Sequence, residues 1–170
     1  MLKNNGSEEI RYQKHVKGHL QWKRRCRGYS MSHKILVVDD QADIRNLLKD
    51  AFSRQSYNVL CSSSAKDALS ILDKKHVDVV ISDEIMPGMS GTEFLAIVRK
   101  KYPDTIRIIL TGHASLESAI CAINEGEVFR FFVKPCNMVD LSTTIRHAIQ
   151  HQELLKENKR LIEIINQYVH

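Results

Sequence analysis

From Lys34 onward, short unbroken apolar runs alternate with stretches whose apolar residues fall at helical spacing. The runs are KILVV (34–38), YNVLC (57–61), VDVVIS (77–82), IRIIL (106–110) and VFRFFV (128–133). Between and after them lie five stripes of helical period: Ile44, Leu47, Leu48 and Ala51; Ala65, Ala68, Leu69 and Leu72; Phe94, Ile97 and Val98; Leu116, Ala119, Ile120 and Ile123; Leu141, Ile145, Ala148 and Ile149. Ser64, Ser90 (with Glu93 three residues on) and Asn137 are suited to cap helix starts, and Gly126 to end one. Strict β–α alternation predicts an α/β fold, a small doubly wound five-stranded parallel sheet with helices on both faces. Continuous apolar strands fit burial on both sides.

The last helix runs past the point where such a domain ends. No Gly or Pro occurs between Asn137 and Tyr168, so it could extend to about 45 Å at 1.5 Å per residue. Leu154, Asn158, Leu161, Ile165 and Tyr168 are spaced 4, 3, 4 and 3. That is a heptad seam with Asn158 at an interior polar position, a pattern that favours two strands. It makes residues 151–170 a helical extension and candidate coiled coil, able to form a homodimer. The plainer alternatives are an amphipathic helix folded back on its own domain, or a linker.

Composition changes this picture little, and charge changes it at one end. The 170 residues are 43% hydrophobic and 26% charged, a globular composition. No stretch approaches the roughly 18 apolar residues of a membrane span, so no membrane partner is expected. Of 25 Lys+Arg and 20 Asp+Glu, the first thirty positions hold eight and two, a net of +6, which leaves −1 for the rest. The overall +5 therefore describes a tail and gives no reason to expect the body to bind DNA directly. Residues 1–32 have no sustained period and read as a basic, disordered arm. Met31 directly precedes the first run, which allows the arm to be upstream or vector sequence; a nucleic-acid or membrane-surface arm is the alternative. Cys26, Cys61, Cys121 and Cys136 form no CxxC pair and fit a reducing, cytoplasmic setting.

The chemistry collects at the carboxyl ends of the strands, where open parallel sheets bind ligands. Asp39-Asp40 follow the first run, Asp83 the third, Thr111-Gly112 the fourth and Lys134-Pro135 the fifth. Singly, each reads as a turn, cap or surface residue; four coincident strand ends point to a site. Two carboxylates about 4 Å apart repel by about 4 kcal/mol at an effective dielectric of 20. A hard divalent cation such as Mg2+ relieves that cost, and Lys134 adds a second positive charge. Metal and ammonium together suit a phosphoryl group. A carboxylate can attack phosphorus to form an acyl phosphate. Asp83 is the natural nucleophile, and Asp39 and Asp40 the natural metal holders.

VVDDQAD (37–43), ISDEIMPGMSG (81–91), ILTGHA (109–114) and FVKP (132–135) together resemble the receiver domain of two-component response regulators. The resemblance covers residues 33–150. It implies a flavodoxin-like sheet of order 2-1-3-4-5 and makes Asp83 the phosphoacceptor. Asp40 would ligate Mg2+ directly, Asp39 through water, and the Ile85 backbone carbonyl would be a further ligand. Thr111 and Lys134 would hold the phosphoryl oxygens, and Phe131 would be an aromatic switch residue, its plainer reading a core aromatic. The Lys134–Pro135 bond would be cis, and GMSG a tight turn. Ile85 and His113 would flank the path of hydrolytic water and tune the acyl phosphate's lifetime, although His113 also reads as a solvated loop histidine. The implied partners are a sensor histidine kinase or phosphotransfer protein, and a downstream protein bound by the fourth helix, fifth strand and fifth helix. The stretch INEGEVFRFFVKPC also resembles receivers that precede cyclic-dinucleotide phosphodiesterase or other output modules.

The resemblance implies a phosphoacceptor that promotes its own phosphorylation and dephosphorylation rather than a turnover enzyme. Three other readings compete. An aspartyl phosphatase of the haloacid dehalogenase type needs DxDxT after the first strand, where Asp39-Asp40-Gln41-Ala42-Asp43 stands. A flavin site needs a hydroxyl- and glycine-rich loop where this chain has acids. A vestigial receiver-like interaction module keeps the fold without the chemistry.

Overall fold

The computed structural model describes residues 33–112 and 129–168, with Tyr168 described for its backbone alone. The arm, the fourth predicted stripe (Leu116 to Ile123), Gly126 and His113 lie outside the described residues. The elements are β1 (Lys34–Val38), α1 (Ala42–Ser53), β2 (Asn58–Ser62), α2 (Ala65–Lys74), β3 (Val79–Asp83), α3 (Gly91–Lys101), β4 (Ile106–Thr111), β5 (Arg130–Val133) and α4 (Met138–Tyr168). Five parallel strands are ordered β2-β1-β3-β4-β5. This is the doubly wound, flavodoxin-like sheet expected.

Register sets the site. Val38 pairs with Ser62 and with Ser82, Asp83 with Leu110, and Thr111 with Val133. The strands therefore finish nearly level, and whatever follows each of them gathers on one rim. Alternate strand residues feed opposite faces, as the period-2 pleat requires. Leu36, Val38, Val80 and Ile109 pack with Ala68 and Leu72 of α2 and with Phe94, Leu95 and Val98 of α3. Ile35, Val37, Ile81, Ile108 and Leu110 pack with Leu48 and Phe52 of α1 and with Leu141, Ile145, Ala148 and Ile149 of α4.

Two expectations need correction. Leu47 does not share the core stripe of α1: it is 58% exposed, and Phe52 is buried instead. Ile44, Leu48 and Phe52 step by four along one face, whereas Leu47 lies about 100° round from Leu48. Nor is every strand buried on both sides. The central β1, β3 and β4 are, but the edge strands β2 and β5 are only half covered. The predicted caps form. Ser64 Oγ accepts from the Asp67 backbone N–H at 3.2 Å, Ser90 and Glu93 make a reciprocal capping box, and Asn137 Oδ1 accepts from the Val139 N–H at 2.9 Å.

Helix α4 has 31 residues, about 46 Å. Its first half belongs to the core. It is tied further by Gln55 Nε2 donating to Ser142 Oγ at 2.9 Å and by Gln152 Nε2 donating to the Asp104 carbonyl. From Glu153 to Gln167 every side chain is exposed. Among the described residues no helix is long and apolar enough to cross a membrane. The burial pattern predicts that Leu141→Ala costs about 2–5 kcal/mol in urea unfolding. Leu47→Ala, on the exposed edge of α1, stays within about 0.5 kcal/mol of the parent chain.

Candidate functional site

The carboxyl rim of the sheet brings Asp39, Asp40, Asp83, Thr111 and Lys134 together. Asp39, Asp83 and Thr111 are buried, and Asp40 is exposed. One ligand oxygen from each of Asp39, Asp40 and Asp83 lies within 4.8 Å of the others, the one such group among the described residues. Lys134 Nζ stands 2.9 Å from Asp39 Oδ2 and 3.0 Å from Asp83 Oδ1, so a single ammonium clasps both buried acids.

Each side chain is fixed by the backbone around it. Asp39 Oδ1 accepts the Gln41 N–H at 2.9 Å, and the Asp39 N–H donates to the Ser62 carbonyl at 3.2 Å. Its carboxylate thus organises the turn into α1, whose N-cap residue, Gln41, makes no side-chain capping bond of its own. Arg45 Nη1 donates to the Asp39 carbonyl at 2.6 Å, a contact with no sequence signal beyond one basic residue in α1. Asp83 Oδ1 accepts the Glu84 N–H at 2.9 Å, while that N–H also reaches the Leu110 carbonyl at 2.9 Å. Ser82 Oγ donates to the Asp83 carbonyl at 2.9 Å.

The loop after β3 turns at Gly88, whose φ is +86°, and returns so that the Gly91 N–H donates to the Glu84 carbonyl at 2.9 Å. A Cβ on Gly91 would fall 1.9 Å from the Asp83 carbonyl oxygen, so only glycine fits there. GMSG showed a turn in the sequence, but this close approach between residues 83 and 91 exists only in three dimensions. On the other flank the Lys134 N–H donates to the Thr111 carbonyl at 2.7 Å, and the Lys134–Pro135 bond is cis, as expected. Phe131 is half-buried against the face that includes Leu36 and Ile109. Ile85 is 65% exposed, beside the rim and outside the core.

Electrostatics follow from this crowding. Burial pushes the Asp83 carboxyl above the ordinary carboxylate range; the Lys134 ammonium pulls the other way, and the Asp39 charge adds to the rise. Burial works against the Lys134 charge, but the two carboxylates outweigh it and hold Lys134 above the ordinary lysine range. Three clustered carboxylates against this one bridging ammonium form an oxygen-only donor set that fits a hard divalent cation such as Mg2+.

Comparison with known proteins agrees with the geometry. Residues 35–146 match the family described as response regulator receiver domain. The chain is 34% identical over 127 residues to the hydrogenase transcriptional regulatory protein HoxA of Cupriavidus necator, covering 75% of this chain and 26% of that protein. It is 36% identical over 123 residues to the transcriptional regulatory protein GlrR of Escherichia coli, covering 71% and 28%. It thus spans about a quarter of the length of these curated relatives. Among solved structures, a response regulator receiver domain protein from Clostridium thermocellum superposes with a TM-score of 0.68 at 39% identity, over 72% of this chain and 98% of that one. The signal receiver domain of an HD domain-containing protein from Pseudomonas fluorescens Pf-5 gives 0.68 at 38% identity, over 71% and 97%. With its sheet order, its acid cluster and its bridging lysine, the chain belongs to the response regulator receiver domain family, whose members are the phosphoacceptors of two-component signalling.

Proposed function

We propose that Asp83 accepts a phosphoryl group from a phosphohistidine on a sensor histidine kinase or phosphotransfer protein. The observation that carries this reading is the Lys134 ammonium held between Asp39 and Asp83 at the rim. An Asp83 carboxylate oxygen attacks phosphorus, the O–P bond forms, and the P–N bond to the donor imidazole breaks. Lys134 stays charged and transfers one of its contacts to a phosphoryl oxygen, and the Thr111 hydroxyl donates to another. Asp39, Asp40, Asp83 and the backbone carbonyl of Ile85 would hold Mg2+, which when bound supplies positive charge against the acids and the phosphoryl oxygens.

The product adds about two negative charges at the end of β3. Thr111 turns toward them, Phe131 follows into the space released, and the surface around β5 and the start of α4 changes for a downstream protein. The arrangement serves one acceptor that also promotes its own dephosphorylation, rather than a turnover enzyme. No DNA contact is assigned to this domain; the relatives named as transcriptional regulators share with it only about a quarter of their length. The free thiols of Cys61 and Cys136 fit a cytoplasmic setting. We divide the chain into a basic arm (1–32), the receiver (33–150) and a helical extension (151–170).

Incubation with acetyl phosphate and Mg2+ is expected to add one phosphoryl group to the intact mass. The adduct is absent in Asp83→Asn and strongly reduced in Asp40→Asn. A full adduct in Asp83→Asn would refute the acceptor assignment. Ile85 cannot orient water, so Ile85→Asn is expected to shorten the adduct's lifetime, measured by its decay after the donor is removed.

The raised pKa of Asp83 carries a stability prediction. A carboxyl whose folded pKa lies above its unfolded value favours the fold when protonated and burdens it when ionised. In metal-free buffer Asp83→Asn is therefore more stable than the parent chain at neutral pH. Its advantage shrinks as pH falls through the folded pKa and is gone below the ordinary carboxylate range. Thermal unfolding across that pH range checks the sign.

A further inference from the structure

The part of α4 that leaves the body carries a surface that the receiver chemistry does not use. Leu154, Leu155, Leu161, Ile162, Ile164 and Ile165 are 39–65% exposed, and no described element covers them. We propose that this segment pairs with the same segment of a second copy as a parallel, in-register, two-stranded coil beginning at Leu154. This inference does not depend on the phosphoryl chemistry of Asp83.

Four observations favour a second copy of this chain. First, the helix runs unbroken to Tyr168, so Leu154, Asn158, Leu161 and Ile165 line one side of a formed helix at 4, 3 and 4 spacing.

Second, this line is not the one that meets the sheet. The sheet-facing line is Leu141, Ile145 and Ala148, and its heptad continuation passes Gln152, which bonds the Asp104 carbonyl, then Leu155, Lys159, Ile162 and Asn166. It would put a lysine and an amide in the interior. The Leu154 line holds one polar residue, and it lies one position, about 100°, away from the sheet-facing line. A partner helix can therefore seat beside α4 without meeting the sheet. Traced backward, the Leu154 line passes the exposed polar residues His151 and His147, which sets its beginning at Leu154.

Third, charge is arranged for it. Glu153, Lys156, Lys159, Arg160 and Glu163 all fall on the side away from the seam, and only Glu157 flanks it. The positions beside the seam are mostly apolar (Leu155, Ile162 and Ile164), which widens the contact and offers no like-charge repulsion. Asn158 selects the orientation. In a parallel, in-register pair the two Asn158 amides face each other and satisfy one another. An antiparallel pair sets each against an apolar side chain and leaves a polar group unpaired.

Fourth, the area is sufficient for a weak dimer. Burying the exposed parts of the six aliphatic side chains removes roughly 400–600 Å² per chain, so about 1,000 Å² in total, at the lower bound for a specific interface. The dimer is therefore expected to dissociate in the micromolar range.

Sedimentation equilibrium of the full chain from about 1 µM to about 1 mM tests this. A concentration-dependent dimer is expected. Leu161→Glu with Ile165→Glu abolishes it and leaves the circular dichroism of the core intact, because neither residue packs in the core. Glu163→Gln, on the opposite side, leaves the association unchanged. Asn158→Cys, oxidised beside the parent chain, forms a disulfide-linked dimer on a non-reducing gel, which only the parallel, in-register pair permits. A monomer throughout the range, including one whose distal helix folds back on its own body, overturns the proposal. So does a dimer that survives the double variant, or an Asn158→Cys chain that cross-links no more than the parent.

Discussion

One lysine ammonium set between two buried aspartates is the contact on which the rest of the molecule turns. Asp39 follows β1, Asp83 ends β3, and Lys134 follows β5. In the sheet order β5 is separated from β3 by β4, and from β1 by β4 and β3. At about 4.8 Å per strand spacing those separations are roughly 10 and 14 Å. The contact therefore needs a long side chain just past the end of β5, where the Lys134 N–H still bonds the Thr111 carbonyl of β4. The bridge joins both halves of the doubly wound sheet, so structure and chemistry share the same atoms. It also shows why the acids can be tolerated: each carboxylate is anchored by a backbone N–H and by the shared cation.

Much of this was legible in the residues, because the signals were local. Each apolar run is followed directly by, or ends within a residue of, a charged or hydroxylic side chain, and parallel pairing turns that succession into proximity. Capping residues were legible for the same reason: Ser90 and Glu93 lie three apart and need only a helix to meet. What sequence could not show was long-range or a matter of fine angle. Leu47 and Phe52 are both apolar in α1, and only the orientation of that helix on the sheet decides which is buried. The half-covered state of β2 and β5 follows from strand order, not strand composition. Arg45 reaches the Asp39 carbonyl, and Gly91 meets the Asp83 carbonyl, only after the chain has folded.

Helix α4 divides into two physical regimes. Up to Ile149 its apolar residues, the exposed Val139 apart, pack on the sheet, and side-chain bonds from Gln55 and Gln152 hold it down. Beyond that it keeps an apolar stripe with no described surface to lie on. A solvent-exposed helix of this length is marginal when propensity alone supports it. The folded first half supplies the nucleus from which the distal turns propagate. The same continuity makes any displacement of the first half a displacement of the second, since no Gly or Pro intervenes to absorb it.

The contact at Gly91 makes the two flanks of the rim unequal. Backbone of α3 sits directly against the carbonyl of Asp83, with the Ser90–Glu93 box bracing that helix end. Asp83 thus has its carboxylate at the rim and its backbone packed against a helix end. The opposite flank is more open: β5 is an edge strand and Val133 is exposed to solvent. If Asp83 takes the phosphoryl group as proposed, the wall behind it favours displacement toward the β5 side.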